Sequence, residues 1–171
     1  MSCLDAALRL AEQGKLEEAI TRALSCAESS EPEFVDALHL AALFSRELGL
    51  TQQAKDFFEQ ALKSSPRHAQ LRANYGNTLA ELGEFAAAQA QFEGVVASAP
   101  DHDQAWMGLA NLAYQRGEII EAVACCSRAI EVKGTFLATA YSNRSSLRAS
   151  LGEAELAKSD AQAALQIEPH D

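Results

Sequence analysis

The chain contains 171 residues, of which 48% are hydrophobic and 22% charged, a balance typical of a folded soluble protein built as one domain or a short array of repeats. Fourteen basic residues against 24 acidic ones give a formal net charge of −10, which argues against binding to nucleic acid or to an anionic membrane surface. Alanine is abundant and only 6% of the residues are aromatic, so the composition favours closely packed helices over sheets.

The beginning of the chain carries no recognisable targeting signal. Asp5 and Glu12 interrupt the region where a signal peptide needs a continuous apolar core. No stretch of about 20 apolar residues occurs anywhere, so the sequence predicts no membrane span. We therefore expect a cytoplasmic protein.

The cysteines show no metal-binding or redox spacing. They are Cys3, Cys26, Cys125 and Cys126. None of them forms a C-x-x-C pair, and the adjacent Cys125 and Cys126 point about 100° apart on a helix. We interpret all four as small buried thiols.

Glycines recur at an almost constant spacing along the chain. They occupy positions 14, 49, 83, 117 and 152, so the steps are 35, 34, 34 and 35 residues. A small residue lies seven positions before each of these turn glycines, and an alanine lies five positions after it. Glycine closes a helix easily because it adopts the left-handed conformation, and small residues at matched heights let two helices approach closely. The pattern predicts a hairpin of two helices around each turn glycine.

Five such hairpins follow one another in chain order. Their ranges are about 1–34, 35–68, 69–102, 103–137 and 138–171. Each range closes near a residue that stops a helix, namely Pro32, Pro66, Pro100, Gly134 and Pro169. Because one hairpin cannot bury its apolar face alone, we expect the five to stack into a single all-α domain.

The fourth repeat, "DQAWMGLANLAYQRGEIIEAVACCSRAIEVKG", resembles the tetratricopeptide repeat family most clearly. The residues that fill the family pattern are Trp106, Leu109, Ala110, Gly117, Ile119, Ala122 and Ala129. This resemblance implies a right-handed α-solenoid of five helix-turn-helix repeats that binds proteins in its concave groove. The fifth repeat departs from the pattern with Arg144 and Arg148 at apolar positions, and we expect Arg144 to pair with Asp160.

The same resemblance places one stripe of each first helix on the concave side. The stripe lies 13, 10, 9, 6, 3 and 2 residues before each turn glycine. Its candidate peptide-contacting residues are His39, Arg46, Gln70, Asn74, Asn77, Gln104, Met107, Asn111, Tyr114, Asn143 and Ser146. Along the chain the stripe changes from apolar and weakly charged to rich in amides and hydroxyls.

Asparagines recur within this stripe. Asn77 and Asn111 lie 34 residues apart, six residues before their turn glycines, while Asn74 and Asn143 share the position nine residues before. A primary amide offers both a donor and an acceptor, so a ladder of amides suits an extended peptide backbone. Large tetratricopeptide superhelices use asparagines in this way. The alternative is that these side chains only keep an exposed face polar.

The fifth repeat also resembles the repeats of heat-shock-protein co-chaperones, which hold a partner's C-terminal carboxylate with two asparagines, two lysines and an arginine. Asn111 and Asn143 fit the asparagine positions, but Met107 stands where the first lysine is needed. Without cations the carboxylate loses its main attraction, so the sequence disfavours this mode of binding.

No catalytic constellation is apparent. The histidines are His39, His68, His102 and His170, and the 34-residue spacing of His68 and His102 follows from the repeat itself. No nucleotide-binding, metalloprotease or serine-hydrolase motif occurs. We expect no enzymatic activity, no cofactor and no metal ion.

Three classes of function stay open. The first is an adaptor or scaffold that binds a protein or an extended peptide. The second follows from the N-terminal repeats, which resemble those of bacterial transferases and would recruit a substrate for an enzyme. The third is an assembly factor with weak self-association through the fifth repeat, where Leu156 and Leu165 need a cover.

Overall fold

The computed structural model describes residues 2–29 and 33–167, and within those ranges it contains ten helices and no strand. The helices are α1 Cys3–Glu12, α2 Leu16–Ser29, α3 Phe34–Glu47, α4 Thr51–Ser64, α5 Ala69–Glu81, α6 Phe85–Ser98, α7 Asp103–Gln115, α8 Ile119–Val132, α9 Leu137–Ser150 and α10 Ala154–Ile167. α1 packs against α2, α3 against α4, α7 against α8 and α9 against α10, as the glycine spacing predicts, and the predicted turn glycine Gly83 lies between α5 and α6. Pro32, Pro169 and His170 lie outside the described residues. No helix within the described ranges has the length and apolar character needed to cross a membrane.

The chain divides into two compact units, Met1–Ala88 and Gln89–Asp171. The first unit holds α1 to α5 with the beginning of α6, and the second holds the rest of α6 with α7 to α10. A single domain over the whole chain stays a prediction.

The turn between the two helices of each hairpin is built on the predicted glycine. In all five turns the glycine φ angle lies between +76° and +79°. At the third turn the Gly83 amide donates to the Ala80 carbonyl, and the Glu84 amide donates to the Leu79 carbonyl at 2.8 Å. These two bonds satisfy carbonyls that a helix end would otherwise leave unpaired. The left-handed turn therefore fixes where each first helix stops.

Small residues bring the paired helices of the first unit together. Ala42 of α3 and Ala54 of α4 are both fully buried, and they share a cluster with Phe58 and Leu71. Ala7 and Ala19 lie in the equivalent cluster of the first hairpin. The seven-before and five-after positions are thus contact positions, as predicted.

The second unit repeats this packing with different side chains. Ala110 of α7 and Ala122 of α8 share a core cluster with Cys126 and Leu147. Gly108 of α7 lies directly against the Phe92 ring, where an added Cβ would come within 2.5 Å of a ring carbon. Gly108 is therefore a packing residue that makes room for the aromatic ring of α6.

The interpretation of Cys3 and Cys26 as thiols is wrong, because the two form a disulfide between α1 and α2. Their Cα atoms lie 5.8 Å apart, within the usual range for a disulfide. They lie 11 residues before and 12 residues after the turn glycine. In the second hairpin the same positions bring Leu38 and Ala61 into one cluster. Closure of the hairpin thus brings together two cysteines that are 23 residues apart in the sequence.

The other two cysteines behave as predicted. Cys125 and Cys126 are buried and carry free thiols. Burial raises the pKa of each thiol to about 11, so both stay protonated at neutral pH. They serve as small core residues of α8.

The last hairpin is held by buried charges. Arg144 of α9 makes two hydrogen bonds to the Asp160 carboxylate of α10, at 2.7 and 2.8 Å, which confirms the predicted pair. Arg148 Nη1 donates to the same carboxylate at 2.8 Å. Asp160 is 3% exposed, so these bonds replace its hydration. The two arginines at apolar positions therefore share one buried carboxylate.

Candidate peptide-binding surface

The predicted contact residues all lie on the first helices of their hairpins. On α3 and α5 of the first unit these are His39, Arg46, Gln70, Asn74 and Asn77. On α7 and α9 of the second unit they are Gln104, Met107, Asn111, Tyr114, Asn143 and Ser146. The two sets differ in how far their polar groups are already engaged.

In the first unit the Asn74 side-chain amide is hydrogen-bonded within the protein. Asn74 is 7% exposed, and its Nδ2 atom lies 2.7 Å from Nε2 of His39 on the neighbouring first helix. Gln70 donates from Nε2 to the Asn74 side-chain oxygen at 3.4 Å. A neutral His39 ring accepts the hydrogen bond from the Asn74 amide at Nε2. Asn74 therefore joins α3 to α5, while Asn77 stays half-buried one turn further along.

The surroundings of His39 favour its neutral form. Its ring lies 5.9 Å from the Phe58 ring and 6.3 Å from the His68 ring, measured between centroids. Burial lowers the pKa of His39, nearby His68 lowers it further, and Asp36 opposes the change. His68 itself accepts the Leu71 amide at Nδ1, at 3.2 Å, and so caps the start of α5.

Arg46 is also engaged within the first unit. Its guanidinium holds the Glu81 carboxylate, with Nη2 at 2.9 Å from Oε1 and Nε at 3.2 Å from Oε2. This ion pair connects α3 to α5 at the ends of both helices. The cation predicted to face a partner is thus already neutralised by a neighbouring first helix.

In the second unit the polar groups surround an open cavity of about 330 Å³. Four predicted residues line it, namely Asn111 and Tyr114 of α7 with Asn143 and Ser146 of α9. Asn111, Tyr114 and Ser146 are exposed or partly exposed, and Asn143 is half-buried. Within the described part of the chain, neither the Asn111 nor the Asn143 side chain has a hydrogen bond to another residue. Both amides are therefore available to a ligand.

Four further residues line the cavity. Ser150 lies on the predicted stripe, two residues before its turn glycine, whereas Ala110, Cys126 and Leu147 were not predicted to face the groove. Cys126 lies on the second helix α8, nine residues after its turn glycine, and its expected role was only that of a buried thiol. The sequence does contain an indication that Cys126 borders open space, because the larger Phe58 and Phe92 occupy the same position in the second and third repeats.

Two other predicted residues contribute less surface than expected. Met107 is 6% exposed and packs with Ala129 and Ala140 in the core of the second unit. Its position, ten residues before the turn glycine, is also filled by the fully buried Ala73 in the third repeat. Met107 therefore supports the surface from beneath, which corrects its expected role as a contact residue. Gln104 is half-buried on the first turn of α7.

Among the described residues, one group has potential metal-ligand atoms within 4.8 Å of one another: Cys3, Cys26 and Glu33. A metal ion binds the thiolate form of cysteine. The two sulfur atoms are bonded to each other instead, so the group offers only the Glu33 carboxylate. This arrangement does not suit a metal ion.

Solved structures with a similar fold come from several bacteria. TTC0263, a tetratricopeptide protein of Thermus thermophilus, has a TM-score of 0.79 at 19% identity, and the match covers 99% of this chain and 91% of that one. MamA of Desulfovibrio magneticus RS-1 has a TM-score of 0.77 at 19% identity, covering 96% and 92%. A tetratricopeptide protein of Parabacteroides merdae has a TM-score of 0.79 at 21% identity, covering 99% and 65%. At these identities the similarity establishes the fold class, an all-α helical-repeat solenoid.

Sequence profiles identify the repeats directly. One tetratricopeptide repeat profile matches residues 45–112 and 79–134, and a second matches residues 138–171. No curated protein matches the chain in sequence. The profile matches extend over more than half of the chain and agree with the turn glycines and the hairpins. The chain belongs to the tetratricopeptide repeat family.

Proposed function

We propose that this protein is a non-catalytic interaction module that binds an extended segment of another protein, with the main contacts on α7 and α9 of the second unit. The observation that carries the proposal is the cavity bordered by the unengaged amides of Asn111 and Asn143. Membership of the tetratricopeptide repeat family supports a protein as the partner.

The chemistry of these two amides suits a peptide backbone. Each amide carries two N–H donors and one carbonyl acceptor, so it pairs with either group of a peptide unit. Asn111 and Asn143 lie on neighbouring first helices, and both border the same cavity. A peptide segment that lies across α7 and α9 meets hydrogen-bond donors and an acceptor at Asn111 and again at Asn143.

The cavity residues also support a role in binding over one in catalysis. The charged residue types are absent from the cavity lining. The Cys126 thiol, whose pKa burial raises to about 11, is protonated at neutral pH and so is a poor nucleophile. The lining therefore offers hydrogen bonds and apolar contact but no acid–base pair.

Peptides selected from a random display library on the intact chain test this proposal. We expect Asn111→Ala with Asn143→Ala to weaken binding of these peptides about tenfold, because two backbone hydrogen bonds are lost. Fluorescence anisotropy measures the affinity, and thermal unfolding followed by circular dichroism should change little. Equal affinity of the wild type and this double variant would contradict the proposal.

The control variant removes two amides elsewhere. Gln162 and Gln166 are exposed on α10 and do not border the cavity. Gln162→Ala with Gln166→Ala should leave the affinity unchanged.

A second candidate function is self-association through α10. Leu156, Leu165 and Ile167 are exposed there, so α10 presents apolar side chains that a second copy would cover. Sedimentation velocity over a dilution series measures the expected weak dimer, and a strict monomer at high concentration would count against it. The association with a transferase stays a prediction. The cytoplasmic location also stays a prediction, and the disulfide between α1 and α2 does not favour it, because disulfides are more typical of oxidising compartments.

A further inference from the structure

We infer that the cavity of the second unit is a specificity pocket that takes one uncharged, apolar side chain of the bound segment, while Asn111 and Asn143 pair with the backbone on either side. This inference rests on the proposed function and adds to it the class of residue that the partner must present. The partner is an extended, neutral or basic protein segment with one apolar anchor.

The pocket exists because an aromatic ring is missing. Nine residues after the turn glycine, the second repeat has Phe58 and the third has Phe92, and both rings are almost completely buried. In the fourth repeat this position is Cys126, whose side chain is much smaller. Phe92 shows where such a ring goes, since it lies directly against the next first helix at Gly108. At Cys126 the equivalent space beside Asn143 stays open.

The lining of the pocket selects against charge. Its inner part is formed by Ala110, Cys126 and Leu147, and its rim by hydroxyls and amides that include Ser146. A charged side chain would lose its hydration there without meeting a counter-ion, which is costly. An aliphatic or aromatic side chain instead replaces water against the apolar inner part.

The size of the pocket fits a single anchor. Its volume of about 330 Å³ is at the lower end of the range for small-molecule sites, roughly 300–1,000 Å³. That space holds one large side chain with its Cα region, and the neighbouring residues of the segment must lie outside, where the two amides are. The geometry thus combines one apolar contact with backbone recognition.

Net charge adds a preference for the flanking residues. Residues 89–171 contain 11 acidic and six basic residues, so the second unit has a formal charge of −5. A negative field repels acidic segments and attracts basic ones. The anchor is therefore expected in a segment whose neighbours are neutral or basic.

The test fills the pocket and leaves the amides in place. Cys126→Phe restores the ring that the second and third repeats carry at this position. Peptides from the display library described above should share one apolar position. Changing that residue to alanine should weaken binding to the wild type at least about tenfold and to Cys126→Phe less than about twofold.

A rim variant keeps the test decisive if Cys126→Phe does not fold. Ser146 lies at the mouth of the pocket, so Ser146→Trp blocks entry without entering the core. The matched control is Gln162→Trp, at an exposed position of α10 that does not line this pocket. We expect weaker peptide binding by Ser146→Trp and unchanged binding by Gln162→Trp.

The possible outcomes distinguish a failure of the specificity pocket from a failure of the proposed function. Peptides that bind the wild type and Cys126→Phe equally, or that share no apolar position, overturn the pocket while peptide binding stands. A library that yields no binding peptide overturns the proposed function and the pocket with it. A dimer of the wild type that is lost in Cys126→Phe assigns the pocket to a second copy and overturns the peptide assignment.

Discussion

Asn74 of the first unit and Asn143 of the second lie at the same position of their repeats, nine residues before the turn glycine. Their side chains nevertheless differ in burial and in hydrogen bonding. Asn74 is buried and bonded to His39, whereas the Asn143 side chain has no hydrogen bond within the described residues. The difference comes from the preceding repeat. There His39 offers an acceptor to Asn74, while Met107 holds the corresponding position before Asn143 and offers none.

The second helices make the same contrast. Phe58 fills the space near His39 and Asn74, and Cys126 leaves the space near Asn143 open. Two sequence differences on a common framework therefore decide whether this space is filled by the protein itself or stays open. In a repeat protein, the identity of a surface residue has to be judged together with its neighbour in the preceding repeat.

The largest expected effect concerns the hairpin that forms one wall of the open site. Asp160→Ala removes the carboxylate that Arg144 and Arg148 share, so Arg144 loses its counter-ion and Arg148 keeps only the Glu153 carboxylate, 3.7 Å from its Nε. We expect the free energy of unfolding to fall by about 3–5 kcal/mol. Urea denaturation measures it, with Glu155→Ala, an exposed carboxylate of the same helix, as the control. A loss below about 1 kcal/mol would show that the buried pair is not needed.

The first unit contains a disulfide, whereas the described residues of the second unit contain none. The disulfide between Cys3 and Cys26 closes a loop over 23 residues of separation, which corresponds to about 3 kcal/mol of stability by loss of chain entropy in the unfolded state. Dithiothreitol should lower the stability of the wild type by roughly that amount. The Cys3→Ser, Cys26→Ser variant should be unaffected by the reductant, and an equal response of both proteins would contradict the assignment.

A smaller effect should appear on acidification. Because burial and His68 depress the pKa of His39 below its ordinary value of 6.5, the folded protein resists protonation of this ring. Its contribution to stability is complete above pH 6.5 and is lost as the pH falls below that value. A protonated ring also cannot accept from Asn74 at Nε2, and loss of that hydrogen bond costs about 1 kcal/mol.

The variant His39→Gln sharpens this measurement, because it keeps an acceptor and does not titrate. Stability of both proteins is compared by urea denaturation at pH 7 and pH 5. We expect the decrease between these pH values to be about 1 kcal/mol smaller in His39→Gln than in the wild type. Identical decreases would mean that His39 does not sense pH through Asn74.

The sequence predicts the hairpins well because each depends on one local signal. A glycine such as Gly117 must terminate its helix in a left-handed turn, so its spacing alone locates the turns. The Arg144–Asp160 pair was predictable for a similar reason, since Arg144 stands at a position that is apolar in the earlier repeats and Asp160 lies in the same hairpin.

The disulfide and the burial of Asn74 and Met107 depend on contacts between residues of different helices. The residue pattern of a single helix does not reveal such contacts. The disulfide needs the knowledge that the positions of Cys3 and Cys26 face each other across a hairpin. The burial of Asn74 needs an acceptor on another repeat, and the burial of Met107 needs the core of the second unit. A stripe of one helix indicates which side chains share a face, but their engagement is decided by the adjacent helices.

The most direct test of peptide binding by the second unit follows the side-chain amide signals of Asn111, Asn143 and Asn74 by ¹⁵N NMR while a selected peptide is added. We expect the Asn111 and Asn143 amide signals to shift on binding, because these groups bond to the peptide, and the Asn74 signal to stay in place. Unchanged signals of Asn111 and Asn143 at a saturating peptide concentration would contradict it.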